Sequence, residues 1–236
     1  MELRLLSTET ERQIFAARTE QIRAKHGAGF KERPRSRLAR IHLTFGNLYA
    51  LFENDGDPAE KMIAGLVMHD LEMFPQTCPK PDLSHLPPRS VQEVSELWSR
   101  AVGAGALARA GAAMLAGLLD ARAILAYLGV KPFDGTPFYR AVGFVEAGEP
   151  VEYPYLETIS GEAIWAQPMI LGGESLAKLT RVFSQLIIET CDDNRVLRFR
   201  NFLKGKTAGG RPALVDDAPP MAGPRRVHED NAAQLQ

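Results

Sequence analysis

The sequence predicts an α+β or α/β fold, with strands on both sides of helices and an added helix near the C-terminus. Three observations lead there. Apolar runs of strand length precede and follow a long helix-forming segment rich in small residues, so strands and helices must pack on one another. The chain has 236 residues, 45% of them apolar and 24% charged, enough to bury one substantial core. The most apolar stretch, 101–130, contains Arg109, Asp120 and Arg122, so it belongs in a core and not in a bilayer, where about 20 uninterrupted residues are needed.

Residues 2–6 alternate as a short strand, and Ser7 or Thr8 can cap a helix over 9–26 that aligns Ile14, Phe15, Ala17 and Ile22. The following HGAGFKERPRSRLAR holds Gly27, Gly29 and Pro34 among basic residues and reads as a loop. IHLTF, NLYALFE and KMIAGLVMHDL read as an antiparallel meander, the last two separated by the turn residues NDGDP. A Pro-rich connection leads to VQEVSELW, where alternation places Val94, Glu96 and Trp98 on one face and Glu93, Ser95 and Leu97 on the other.

RAVGAGALARAGAAMLAGLLDAR then repeats Leu107, Gly111, Met114, Leu115 and Leu118 at helical spacing. AILAYLGV is an apolar strand, PFDGTPFYRAVGF a turn with a short helix, and VEAGEPVEYPYLE and AIWAQPMIL two more strands. A last helix is expected over 174–189, its stripe formed by Leu176, Leu179, Val182, Phe183 and Leu186. That stripe can cover its own sheet or a second copy, so a homodimer stays open. Beyond Lys204, Gly, Pro, Ala and scattered charge predict a disordered tail over 204–236.

The charge balance, 28 Lys+Arg against 29 Asp+Glu, argues against a nucleic-acid protein that binds by neutralising phosphates. Cys78 and Cys191 have no metal-type spacing, and His42, His69 and His85 read as isolated residues, so no metal site is expected. The N-terminus lacks the apolar core of a secretory signal, and a reducing cytoplasm is the expected location.

The segment richest in chemistry is a strand, then Arg100-Ala101-Val102-Gly103-Ala104-Gly105, then an amphipathic helix. Free N–H groups opening that helix, with its dipole and Arg100, suit a pyrophosphate, and the glycines let the backbone approach it. The competing reading is that Gly103 and Gly105 only permit a tight turn. A second element, Phe138-Tyr139-Arg140-Ala141-Val142-Gly143-Phe144, lies one strand downstream.

In this order the chain resembles the GNAT acyltransferase superfamily, which implies an α+β fold with a central mixed, mostly antiparallel sheet flanked by helices. Arg100, Gly103 and Gly105 match its Arg/Gln-x-x-Gly-x-Gly/Ala loop, and Tyr139, Gly143 and Phe144 its Tyr-x-x-x-Gly-Phe. The resemblance covers residues 1–172 as the acyltransferase domain, leaving 173–203 as a helical extension. It implies N-acyl transfer from acetyl-CoA or a longer acyl-CoA to an amine acceptor by direct attack, with the donor in a wedge between two splayed strands. Trp98, Arg100, Ala101, Val102, Gly103, Ala104 and Gly105 are then expected at the cofactor. Tyr139 is expected as general acid, and Glu96, with Glu93 as its rival, as general base. A phenol with an ordinary pKa of about 10 keeps its proton at neutral pH and can donate it.

Two alternatives accompany this reading. Glu93-Val94-Ser95 resembles the strand of acyl-homoserine lactone and long-chain N-acyl amino acid synthases, with Glu96 where that group has arginine. Those enzymes take their acyl group from acyl carrier protein, which is acidic, and Lys31, Arg33, Arg35, Arg37 and Arg40 would then form its docking surface. A non-catalytic acyl-CoA-binding module is the other. A dinucleotide fold is disfavoured, although Gly103-Ala104-Gly105-Ala106-Leu107-Ala108 satisfies G-x-G-x-x-A, because no acidic residue closes a following strand.

Overall fold

In a computed structural model the described residues are 1–25, 30–32, 43, 46–53, 61–72, 79–101, 103–131, 134–185, 187–191 and 196–199. The strands are β1 (Glu2–Leu5), β2 (Phe30–Glu32), β3 (Asn47–Phe52), β4 (Met62–Asp70), β5 (Val91–Ser99), β6 (Ala123–Lys131), β7 (Val145–Glu146), β8 (Val151–Thr158), β9 (Ala163–Gly172), β10 (Ile187–Cys191) and β11 (Val196–Phe199). The helices are α1 (Glu9–Lys25), α2 (Ala104–Leu118), α3 (Thr136–Ala141) and α4 (Gly173–Ser184). All strands join one mixed sheet in the order β10-β11-β1-β3-β4-β5-β6-β9-β8-β2, with β7 also on β9. Of the pairings among the described residues, β5–β6 is parallel and the rest antiparallel.

Helix α1 starts where its cap chemistry demands. Thr8 Oγ1 accepts from the Glu11 N–H at 3.2 Å and Glu11 Oε2 accepts from the Thr8 N–H at 3.4 Å, a reciprocal capping box. Arg4 of β1 also donates to Glu11, which ties the first strand to the helix. On the buried side Phe15 is fully enclosed, its ring centroid 5.5 Å from that of Trp98. Both rings lie on Gly65 of β4, where a side-chain carbon would come within 2.3 Å of Phe15 and 2.8 Å of Trp98.

The opposite face carries the main core. The small residues of α2, among them Ala108, Ala112 and Ala116, let it lie close on the sheet against Leu66, Met68, Ile124 and Ala126. Helix α4 then packs on α2, the Thr180 hydroxyl donating to the Ala113 carbonyl at 3.4 Å. Leu176 is buried and Leu179 and Phe183 are partly so, which puts three residues of the expected stripe on this chain's own core; Val182 is 47% exposed, and Leu186 lies outside the described residues.

Several expectations change: VEAGEPVEYPYLE, expected as one strand, is two, β7 and β8. The meander consists of β3, β4 and β5; of IHLTF only Leu43 is described, and it is helical. Part of the loop expected over 26–40 is extended, as β2 pairs with β8. Helix α4 ends at Ser184, not 189, and a hairpin follows in which β10 pairs with β11 and β11 with β1. The β-branched Ile187, Ile188 and Thr190 favour a strand, although Leu186 and Ile187 continue the helical period. Finally, the alternation assumed for β5 breaks at Glu96. Gly65 pairs with Trp98 and Val67 with Ser95, so Glu96 and Leu97 together face one residue of β4 across a bulge. Val94 and Leu97 therefore share the α2 side, and Trp98 points to the α1 side. The tail, 204–236, lies outside the described residues.

Candidate functional site

The site begins with a mismatch in pairing. β5 and β6 run parallel and pair only over Val91↔Ala123, Gln92↔Ile124 and Glu93↔Leu125. Beyond that point β5 stays paired with β4 as far as Ser99, and β6 stays paired with β9 as far as Lys131. The two strands therefore part into a wedge whose apex is the Glu93–Leu125 pair. Along Val94–Ser99 and 126–131 the facing edges have no strand partner among the described residues. Unpaired backbone N–H and C=O groups are strong hydrogen-bonding sites, ready for an added extended chain. At the outer end the Gly129 carbonyl accepts from the Gly135 N–H at 2.9 Å, so α3 closes part of the mouth.

The wedge opens toward the start of α2. Gly103 is the N-cap residue, with φ 79° and ψ −18°, a left-handed conformation that glycine adopts without a Cβ penalty. No side chain caps the helix, and the Leu107 N–H is the first to bond back to Gly103. The N–H groups of Gly105 and Ala106 thus lack intrahelical acceptors, as a helix start requires, and add to the positive end of the dipole. A side-chain carbon at Gly105 would lie 3.0 Å from Ser99 Oγ and 3.5 Å from Arg109 Nη1, so glycine keeps this approach open.

The expected cofactor residues separate. Gly103, Ala104 and Gly105 form the helix start, with Ala104 buried and its N–H donated to the Ala101 carbonyl at 3.1 Å. Arg100 has an exposed side chain, while its N–H continues the sheet by donating to the Ile63 carbonyl at 2.8 Å. Ala101 packs on the main core, and Val102 lies outside the described residues. Trp98 does not join them: it is buried on the α1 side, and its Nε1–H has no acceptor among the described residues.

The two candidate bases also differ. Glu93 is at the apex, its side chain 9% exposed, with Oε2 3.4 Å from His69 Nε2. Its pairing with Leu125 and His69 places it on the face opposite α2. Glu96 sits on the bulge at φ 51°, an uncommon backbone conformation for a residue other than glycine. Tyr139 approaches from the other side, packed in the α2 core with its ring 5.1 Å edge-on to Phe144 and 5.8 Å from Phe138. Burial pushes its phenol above the ordinary 10.0, with the Arg109 charge opposing that rise, so the hydroxyl holds its proton.

Two residues have roles in this geometry that sequence reasoning missed. Arg109 was read only as an interruption of an apolar run. It lies one turn after Gly105, and its guanidinium stacks 4.0 Å over the Phe138 ring, linking the start of α2 to the tyrosine helix. The spacing from Gly105 to Arg109 puts both on one helix face, a signal available in the sequence. His69 was read as isolated, and only the β4–β5 register brings it opposite Glu93.

The sheet excludes a doubly wound dinucleotide fold, because β5–β6 is a lone parallel pair among the described residues and β9 follows antiparallel. No group of three or more His, Cys, Asp or Glu side chains gathers among the described residues to hold a metal. No helix there is long and apolar enough to cross a membrane. The side chains of Lys31, Arg33, Arg35, Arg37 and Arg40 lie outside the described residues.

No protein-family model matches the chain, and no curated protein does. Many solved structures are similar to it, among them the following three. A ribosomal-protein-alanine N-acetyltransferase from Brucella melitensis is 13% identical with a TM-score of 0.49, over 72% of this chain and 98% of its own. An N-acetyltransferase from Staphylococcus aureus is 11% identical with a TM-score of 0.49, over 73% and 98%. FeeM, an N-acyl amino acid synthase from uncultured soil microbes, is 12% identical with a TM-score of 0.48, over 76% and 97%.

Proposed function

We propose that this chain is a GNAT-type N-acyltransferase that moves an acyl group from an acyl-CoA to an amine acceptor by direct attack. The wedge carries the reading: parallel strands that pair over three residues, then part with unpaired edges leading to an uncapped helix N-terminus. This arrangement fits a ligand with an anionic end and an extended chain of amides. The N–H groups of Gly105 and Ala106 would meet the phosphates, with Arg100 and Arg109 adding charge. The freed edges of β5 and β6 would bond the amides of the pantetheine arm as an added strand does. The thioester would then lie near the apex.

Two side chains divide the proton work. Glu93 takes the proton from the acceptor ammonium, and the amine nitrogen forms a bond to the acyl carbon as the carbon–sulfur bond breaks. Tyr139 gives its phenolic proton to the departing thiolate. Because Glu93 and Tyr139 belong to opposite faces of the sheet, the acceptor enters on the α1 side and the leaving sulfur is met from the α2 side. Glu93 is assigned the base in place of Glu96 because it stands at the apex, while Glu96 occupies the bulge farther along.

Calorimetry with acetyl-CoA, octanoyl-CoA and palmitoyl-CoA tests the donor, paired with thiol release in a panel of primary amines. Binding of an acyl-CoA with amine-dependent release of CoA supports the reading. Transfer from acyl carrier protein alone would replace the donor, and tight binding without turnover would leave a binding module.

A further inference from the structure

We propose that His69 is a positioning residue for Glu93, holding its carboxylate for proton transfer; the proposal rests on the acyltransfer reading above. His69 and Glu93 are directly opposed partners on β4 and β5, with Nε2 and Oε2 3.4 Å apart. Both side chains are taken out of water, at 2% and 9% exposure, among the apolar Leu71, Val91 and Leu125. A carboxylate buried in such surroundings needs a donor, and an apolar pair of the same volume would fill the space at less electrostatic cost. The pair is found where the sheet stops being closed: on one side of Glu93 both strand edges are bonded, and on the other the wedge begins.

From this position the imidazole Nε2–H would serve one carboxylate oxygen and leave the other for the acceptor. It thereby fixes the direction from which the ammonium proton is removed, and it keeps the carboxylate from turning toward the backbone groups freed by the wedge. Removal of the donor should therefore slow proton transfer with little effect on acyl-CoA binding. Replacement by another N–H donor of similar reach should restore much of the rate.

The test compares His69→Leu, which fills space without a donor, with His69→Gln, which keeps an N–H, each alone and combined with Glu93→Gln in the full chain. Thiol release from acetyl-CoA, or from the longer acyl-CoA that calorimetry selects, is measured with the most active amine of the panel, and melting curves check folding. His69→Leu is expected to lower kcat about 10-fold with the KM for acyl-CoA within about twofold, and His69→Gln to recover most of that loss. In the Glu93→Gln background, His69→Leu should cost no further rate. Equal losses in both backgrounds, or wild-type kcat in a folded His69→Leu, would overturn the proposal while the acyltransfer reading stands. If the wild-type chain transfers no acyl group with any donor, the reading falls and the proposal with it.

Discussion

The two edges of β5 differ sharply. Toward β4 the strand is paired from Gln92 to Ser99, with a bulge taken up at Glu96. Toward β6 it is paired over Val91–Glu93 and then stops. One edge holds the sheet together, and the other offers backbone groups to a ligand. The closed edge is backed by the Phe15–Trp98 stack on Gly65, whereas the open edge runs from the Glu93–His69 pair to the glycine start of α2. Stability should thus respond to changes behind the closed edge, and function to changes along the open one.

The largest expected effect is at the apex. Glu93→Gln removes the base but keeps a neutral side chain of the same size, and kcat should fall about 100-fold or more with the acyl-CoA affinity almost unchanged. At the mouth, Gly105→Val puts side-chain carbons where the first already meets Ser99 Oγ at 3.0 Å and Arg109 at 3.5 Å. Acyl-CoA should bind about 100-fold more weakly by calorimetry, with the melting temperature little altered. Behind the closed edge the pattern reverses. Gly65→Ala forces a carbon to 2.3 Å from Phe15 and 2.8 Å from Trp98, and should cost about 1–3 kcal/mol in urea unfolding without changing acyl-CoA affinity. If Gly65→Ala weakened binding while Gly105→Val left it unchanged, the division of labour between the edges would be wrong.

Tyr139 gives a smaller effect. Its phenol is raised above 10.0 by burial, against the opposing Arg109 charge, so the folded chain holds the proton more tightly than the unfolded chain. That contribution is complete below about pH 10 and disappears as pH rises through the folded value. Tyr139→Phe should therefore lose less stability than wild type between neutral and strongly alkaline pH, a difference that melting curves at stepped pH would show.

How much of this was legible in the sequence depends on the range of the contacts concerned. Helix α1 was readable because its start is local chemistry: Thr8 and Glu11 cap each other three residues apart. The glycine-led helix after β5 and the tyrosine helix were readable for the same reason. The bulge was not, since nothing in VQEVSELW marks Glu96 as the residue that breaks alternation, and with it the face of Trp98 was misassigned. The pairing of His69 with Glu93 depends on a register between strands, which no spacing within one strand reveals. The β10–β11 hairpin was hidden because Leu186 and Ile187 extend the period of α4, while its strand signal is the β-branched Ile187, Ile188 and Thr190.

Hydrogen exchange followed by mass spectrometry, with and without acetyl-CoA, tests the central claim directly. The wedge predicts slowed exchange in peptides covering 94–99, 103–107 and 126–129, with β3 and β4 unchanged. Binding of acetyl-CoA that leaves those three segments as fast as before would contradict the account.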